Sequence, residues 1–288
     1  MKSIVKEMCD YAKEKNLNIY GISEIIDGEE FSQSVMPAPW STDVYSVSKF
    51  VSSAAVGLLW DEGKIDLHAP ITELISDCPE PKEPKWKNVT LHDCLRHRTG
   101  LLNGNLDIDD GKYEGIDDWL GYILALPIEG ERDKDYNYTD AAFYLVCRAA
   151  ESAAKENVHA YLQRKLFNPL GFRESSWSVC TKGFVAGGSG FCANDRDLAR
   201  LGWLWANGGK YKDRQIISAD YVSVSLKEGY GIAKREDYPC NYYKTGANGQ
   251  IVIMLPEEHR SLCVRGFYSS DARTDFINTF FPPQTINK

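Results

Sequence analysis

The run from Lys49 to Trp60, Lys-Phe-Val-Ser-Ser-Ala-Ala-Val-Gly-Leu-Leu-Trp, constrains this chain more than any other stretch. After the lysine every residue is small or apolar, until Asp61-Glu62-Gly63 ends the run. A helix with no polar stripe to turn toward water is a helix buried on all sides. Ser46 and Lys49 stand three residues apart at its start, on one face of the first turn. This puts a hydroxyl and an amine within reach of each other, and Ser46 is the expected nucleophile, tuned by Lys49. The spacing alone does not decide it, since Ser3 and Lys6 make the same match in a charged N-terminal segment.

A chain of 288 residues has room for one large domain or two intergrown lobes. Its net charge of -8, with lysines and arginines interleaved among acids, argues against a nucleic-acid partner, which needs clustered cations. The eight cysteines are scattered without a Cys-x-x-Cys pair, a usage that suits reduced, buried thiols better than a disulfide framework. The charged N-terminus lacks the apolar core of a signal peptide, and no run is long enough to span a bilayer. The chain as given is expected to be cytoplasmic, with no membrane partner.

Apolar residues at helical spacing predict a helix over 3–15. Two extended runs flank Asp27-Gly28, a strong hairpin signal. A short helix should precede Ile75, Thr90 should cap another, and residues 102–118 read as a surface loop. Helices are expected over 117–126, 139–154, 156–167 and 195–207. From Gly229 the patterns turn strand-like, at 230–233, 242–245, 250–255 and 261–268, with a closing helix over 271–280. Strands at both ends and helices between predict an α+β fold, an α/β sandwich. Its antiparallel sheet is built from both termini and flanked by helices. The single domain, 1–288, divides into a sheet lobe (about 1–60 and 208–288) and an inserted, mostly helical lobe (about 61–207), with the active site between them.

Two later segments add chemistry. Lys244-Thr245-Gly246 lies in a strand whose glycines predict close approach of another backbone, such as a substrate pairing edge-on, or else a β-bulge. Tyr138-Thr139-Asp140 precedes a helix. In this order, Ser-x-x-Lys, Tyr-x-Asn-type and Lys-Thr-Gly resemble the motif set of the serine β-lactamase and penicillin-binding-protein superfamily, most closely its class C and esterase-like branch. The segments 90–101, 138–145, 167–172 and 188–199 resemble further family stretches in the expected order, so the likeness covers roughly residues 19–268. Asp140 departs from the family's Asn, Gly130 to Lys134 replaces the usual Pro-Gly, and Ala247-Asn248-Gly249-Gln250 is nearer to esterase-like and nylon-oligomer-hydrolase members.

The resemblance implies a serine hydrolase that forms an acyl-enzyme on Ser46 from a small ester, amide or peptide. A serine hydroxyl needs a base. Either neutral Lys49 accepts its proton, or charged Lys49 favours a tyrosinate at Tyr138 that does so. By the same resemblance the backbone N–H groups of Ser46 and Ala247 form the oxyanion site, and Lys244 meets a substrate carboxylate or holds the tyrosine's proton network. Asp140 bonds Lys49 or the substrate amide, or caps the helix. His97 invites a Ser-His-Asp reading, but the chain has no Gly-x-Ser-x-Gly elbow and His97 falls in a stretch whose family role is structural. His92, His159 and His259 lack ligand spacing, so neither a metal nor a cofactor is expected. The competing readings are a catalytically silent relative that binds or senses a ligand, and a purely structural module in which Ser46, Lys49, Tyr138 and Lys244 lie apart.

Overall fold

The structure, a computed structural model, describes residues 1–103, 106, 113, 115–234 and 242–282. Helix α1 (Val5–Glu14) leads into the hairpin of β1 (Ile19–Ile26) and β2 (Glu29–Ser34). Asp27 and Gly28 turn it with φ of 51° and 83°, the two positive-φ positions that a tight hairpin of this hand requires. At the other end of the chain come β3 (Ala233–Lys234), β4 (Tyr242–Thr245), β5 (Ile251–Leu255) and β6 (Arg260–Gly266). All six join one antiparallel sheet in the order β2-β1-β6-β5-β4-β3. The two termini therefore meet in the β1–β6 pair, where Glu24 faces Leu262 and Ile26 faces Arg260.

Strand alternation sorts the sheet's side chains into two cores. Ile251, Ile253 and Leu255 join Leu262 and Val264 on one face, under α1 and α7 (Ser270–Phe280). Val252, Met254 and Cys263 point the other way, into the larger core that surrounds α2 (Ser48–Asp61). On that second face α5 (Asp195–Ala206) lies against the sheet, its Ala199 carbonyl accepting from Ser261 Oγ at 2.7 Å.

Helix α2 is buried from Ser48 to Leu59, as its composition predicts. Its small residues let neighbours come close. Ser52 Oγ donates to the Gly187 carbonyl at 2.8 Å, and Cys147 Sγ of α4 (Asp140–Ala154) lies 3.2 Å from Ser52 Oγ. Tyr221 of α6 (Ala219–Glu228) covers Gly57 and donates its hydroxyl to the Ser53 carbonyl at 2.7 Å. Thr90 caps α3 (Leu91–Leu95) in a reciprocal box with Asp93.

Several expectations shift. The helix over 219–228 has no counterpart in the sequence reading, because its serines and exposed charges break the apolar period. The expected helices over 117–126 and 156–167 are shorter: Trp119–Ile123, and Val158–Leu162 continued by one π turn, Gln163–Phe167. Tyr230 and Gly231 are not strand but bend, with Gly231 at φ 68° so close to the Lys49 carbonyl that a Cβ would sit 2.6 Å from it. Much of the expected loop over 102–118, and Cys240, lie outside the described residues. The seven described cysteines are free thiols. No helix among the described residues is long and apolar enough to cross a membrane.

One buried ion pair fastens the termini together. Glu24, fully buried on β1, accepts Arg260 Nε from β6 at 2.6 Å and the Ile4 N–H before α1 at 3.1 Å. Breaking such a pair strands a buried charge and costs roughly 3–5 kcal/mol. Arg260→Ala is therefore expected to lose that much stability in urea unfolding, whereas the exposed Lys6→Ala, paired only with Asp10 across one helical turn, should lose under about 0.5 kcal/mol.

Candidate active site

Ser46 sits in a 3-10 turn, Tyr45–Val47, that feeds α2. Tyr45 adopts φ 50°, a left-handed conformation that a bulky residue rarely takes unless its surroundings hold it there. They do. Asp43 Oδ1 accepts the Tyr45 N–H at 2.7 Å, and the Tyr45 carbonyl accepts Ser48 Oγ at 2.5 Å.

Lys49, one helical turn on, is fully buried. Its ammonium donates to Ser46 Oγ at 3.1 Å, to the Gly188 carbonyl at 2.7 Å and to Asp140 Oδ1 in a close ion pair. Three oxygen atoms thus lie against the amine, one of them from a carboxylate. Asp140 opens α4, where the positive end of the helix dipole favours a carboxylate. Gly188 has to be glycine, since a Cβ there would lie 2.7 Å from Asp140. Asp140 thus stands behind Lys49 rather than in the cavity.

Tyr138 reaches the same place from a segment laid alongside the chain after α3. The Gly130 N–H bonds the Gly100 carbonyl at 2.9 Å, Asp133 bonds Arg98 at 2.9 Å, and Asn137 bonds His97 at 2.9 Å. Arg132, where the family's Pro-Gly is missing, donates to the buried Asp93 at 2.8 Å. The phenol is 39% exposed on the cavity rim and accepts from Lys244 Nζ at 3.2 Å. Burial alone would raise it, but the Lys244 and Lys49 ammoniums, with hydrogen bonds from Lys49 and Ser46, bring it below the ordinary tyrosine value. Lys244 itself is lowered, chiefly by burial, against the pull of Tyr138.

Strand β4 delivers Lys244 and Thr245, and Gly246 and Ala247 follow. The close approach that the glycine predicts is to the protein's own backbone. A Cβ on Gly246 would stand 2.3 Å from the Val44 carbonyl, so the strand can lie beside the serine turn only as glycine. Ser46, Tyr138, Lys244, Thr245, Gly246 and Ala247 together line a cavity of about 380 Å³ between the sheet and the helices. A cleft of about 430 Å³ between Trp40, Arg196 and Arg265 contains none of them. Clustering of Ser46, Lys49, Tyr138 and Lys244 runs against the purely structural module. Among the described residues no three His, Cys, Asp or Glu side chains converge as metal ligands would.

The sequence reading missed three contributors. Arg273 of α7 lines the cavity and donates to the Gly246 carbonyl at 3.0 Å, with no motif to mark it. The Gly188 carbonyl is a backbone group, which side-chain motifs do not reveal. His97 was set aside as structural, yet its ring lies 4.4 Å from that of Tyr138.

A sequence-family model described as Beta-lactamase matches residues 41–276. The chain is 22% identical over 316 aligned positions to a protein of Escherichia coli O157:H7 provisionally named D-alanyl-D-alanine carboxypeptidase, covering 84% of this chain and 73% of that one. It is 25% identical over 202 positions to the 6-aminohexanoate-dimer hydrolase of Paenarthrobacter ureafaciens, covering 64% of this chain and 50% of that protein. Its fold is similar to that of a family VIII carboxylesterase, with a TM-score of 0.76 at 16% identity over 95% of this chain and 94% of the other.

Two ammoniums favour the Tyr138 phenolate, so removing one should raise its titration. In Lys244→Ala the tyrosinate absorbance assigned to Tyr138, by difference from Tyr138→Phe, is expected at higher pH than in the wild type.

Proposed function

Because the chain belongs to the Beta-lactamase family, we propose that it is a serine hydrolase acting through an acyl-enzyme on Ser46. The Asp140 carboxylate against the Lys49 amine, and the Tyr138 phenol brought below its ordinary value, support giving the base role to Tyr138. Tyr138 as phenolate takes the Ser46 proton, and Oγ forms a bond to the acyl carbon. The resulting oxyanion is met by the Ser46 and Ala247 N–H groups, both at the cavity wall. Collapse breaks the bond to the leaving group, which carries away the proton from Tyr138. A water molecule then gives a proton to the same phenolate and attacks the acyl carbon, and as the ester bond breaks Tyr138 returns that proton to Ser46 Oγ.

Lys244 and Arg273 give the cavity two cations, and among the described residues no acidic side chain lines it. An ester or amide carrying a carboxylate near the scissile bond fits that charge, and the names of the relatives are in keeping with short amides and D-amino-acid peptides. Nothing in the arrangement favours a silent ligand-binding protein, since no member of the Ser46, Lys49, Tyr138 and Lys244 set is replaced or turned away.

A fluorophosphonate should label Ser46 in the wild type and leave Ser46→Ala unlabelled, as peptide mass mapping would show. An intact wild-type protein without the adduct would sink the reading. Tyr138→Phe is expected to lower kcat/KM for the best substrate in a panel of acyl esters, β-lactams and D-Ala-D-Ala peptides by about 10²–10⁴-fold. In the pH profile, activity should rise as Tyr138 loses its proton, below the ordinary tyrosine range. It should fall on the alkaline side as Lys244 loses its own, below the ordinary lysine range.

A further inference from the structure

We infer that His97 is a positioning residue for Tyr138, holding the peptide groups on both sides of it and backing its ring; the inference rests on Tyr138 being the base. The His97 carbonyl accepts the Asn137 N–H at 2.9 Å, and its Nδ1 accepts the Thr139 N–H at 3.3 Å. These are the two residues flanking Tyr138. The imidazole lies against the Tyr138 ring at 4.4 Å and 31°, and against Phe143 of α4 at 5.0 Å. One residue thus fixes the backbone before and after the phenol, and one face of the phenol itself.

Simple packing does not account for a histidine here. The residue is 4% exposed and adopts φ 57°, a backbone conformation that histidine takes more readily than a bulky apolar residue does. Because Nδ1 accepts, the proton of the neutral ring resides on Nε2, and Nε2 is buried with no hydrogen-bond partner among the described residues. An unpaired buried N–H is unfavourable, and a phenylalanine would fill the space without it. What the nitrogen ring adds is the Nδ1 acceptor.

The same geometry requires a neutral ring. A proton on Nδ1 would set N–H against N–H and eject Thr139. The charged and titratable groups around the ring are Lys49 from α2, Lys244 from β4, and Tyr136 and Tyr138 from the adjoining segment, with Asp140 beyond Lys49 and Arg98 beside Tyr136. Burial first, then the Lys244 and Lys49 charges, push His97 well below the ordinary histidine value, against a Thr139 backbone hydrogen bond that pulls the other way, so the ring is neutral at neutral pH.

The test pairs His97→Phe, which keeps a ring but no acceptor, with His97→Asn, whose amide oxygen takes the place of Nδ1 and tolerates the left-handed backbone. In His97→Phe the phenol should drift from the two ammoniums, so its tyrosinate titration moves up by about one pH unit. The acid limb of Ser46 labelling should follow, and kcat/KM should drop about 10- to 100-fold, mostly in kcat. His97→Asn should restore most of both. Should His97→Phe fail to fold, His97→Gln, whose amide falls nearer the Nε2 position, replaces it with the same expected losses. A variant without the acceptor that titrates and labels like the wild type overturns the inference, as does His97→Asn no better than that variant. Absence of Ser46 labelling in the wild type overturns the acyl-enzyme reading instead, and the tyrosinate titration still reads the His97 effect on its own.

Discussion

Lys49 is a fully buried cation, and an ammonium taken out of water is unfavourable by several kcal/mol unless its N–H bonds find partners. Its three partners come from three parts of the chain: the serine turn, the start of α4 and the Gly188 turn. The lysine therefore works as a node as well as a charge. It keeps α4 at the depth where Tyr138, two residues before Asp140, reaches the cavity. It also explains why glycines gather around it, since Gly188 and Gly231 let backbone come within contact of Asp140 and of the Lys49 carbonyl.

Much of the fold was legible because its signals are local. The hairpin at Asp27-Gly28, the cap at Thr90 and the buried run after Lys49 each follow from the residues in place, and all appear where expected. Strands β4, β5 and β6 fall within a residue or two of their predicted bounds, because β-branched alternation there is clean. The α6 helix was not legible, being held by Tyr221 under α2 more than by its own pattern.

For the site, side-chain motifs were readable and their supports were not. Ser46, Lys49, Tyr138 and Lys244 announce themselves by type and spacing. The reason for Gly246 needed the Val44 carbonyl, 202 residues earlier in the chain, to be seen beside it. Arg273 belongs to a helix with no motif. His97 is structural in the sequence reading, and its contact with the Thr139 N–H is a property of geometry that no motif marks. The acid-rich chain also conceals a cationic cavity, which a net charge of -8 does not foretell.

The sheet that joins both termini has a consequence for synthesis. Glu24 and Arg260 are 236 residues apart, and the serine turn is translated long before the Lys-Thr-Gly strand. A ribosome-bound chain can form the N-terminal hairpin, but its β1 edge stays unpaired until β6 emerges. Closing so long a loop is slow, and the open edge is prone to wrong pairing meanwhile. A product that stops before Lys244 therefore lacks the strand that lines the Ser46 cavity, and a chaperone that shields β1 during elongation would bear directly on yield.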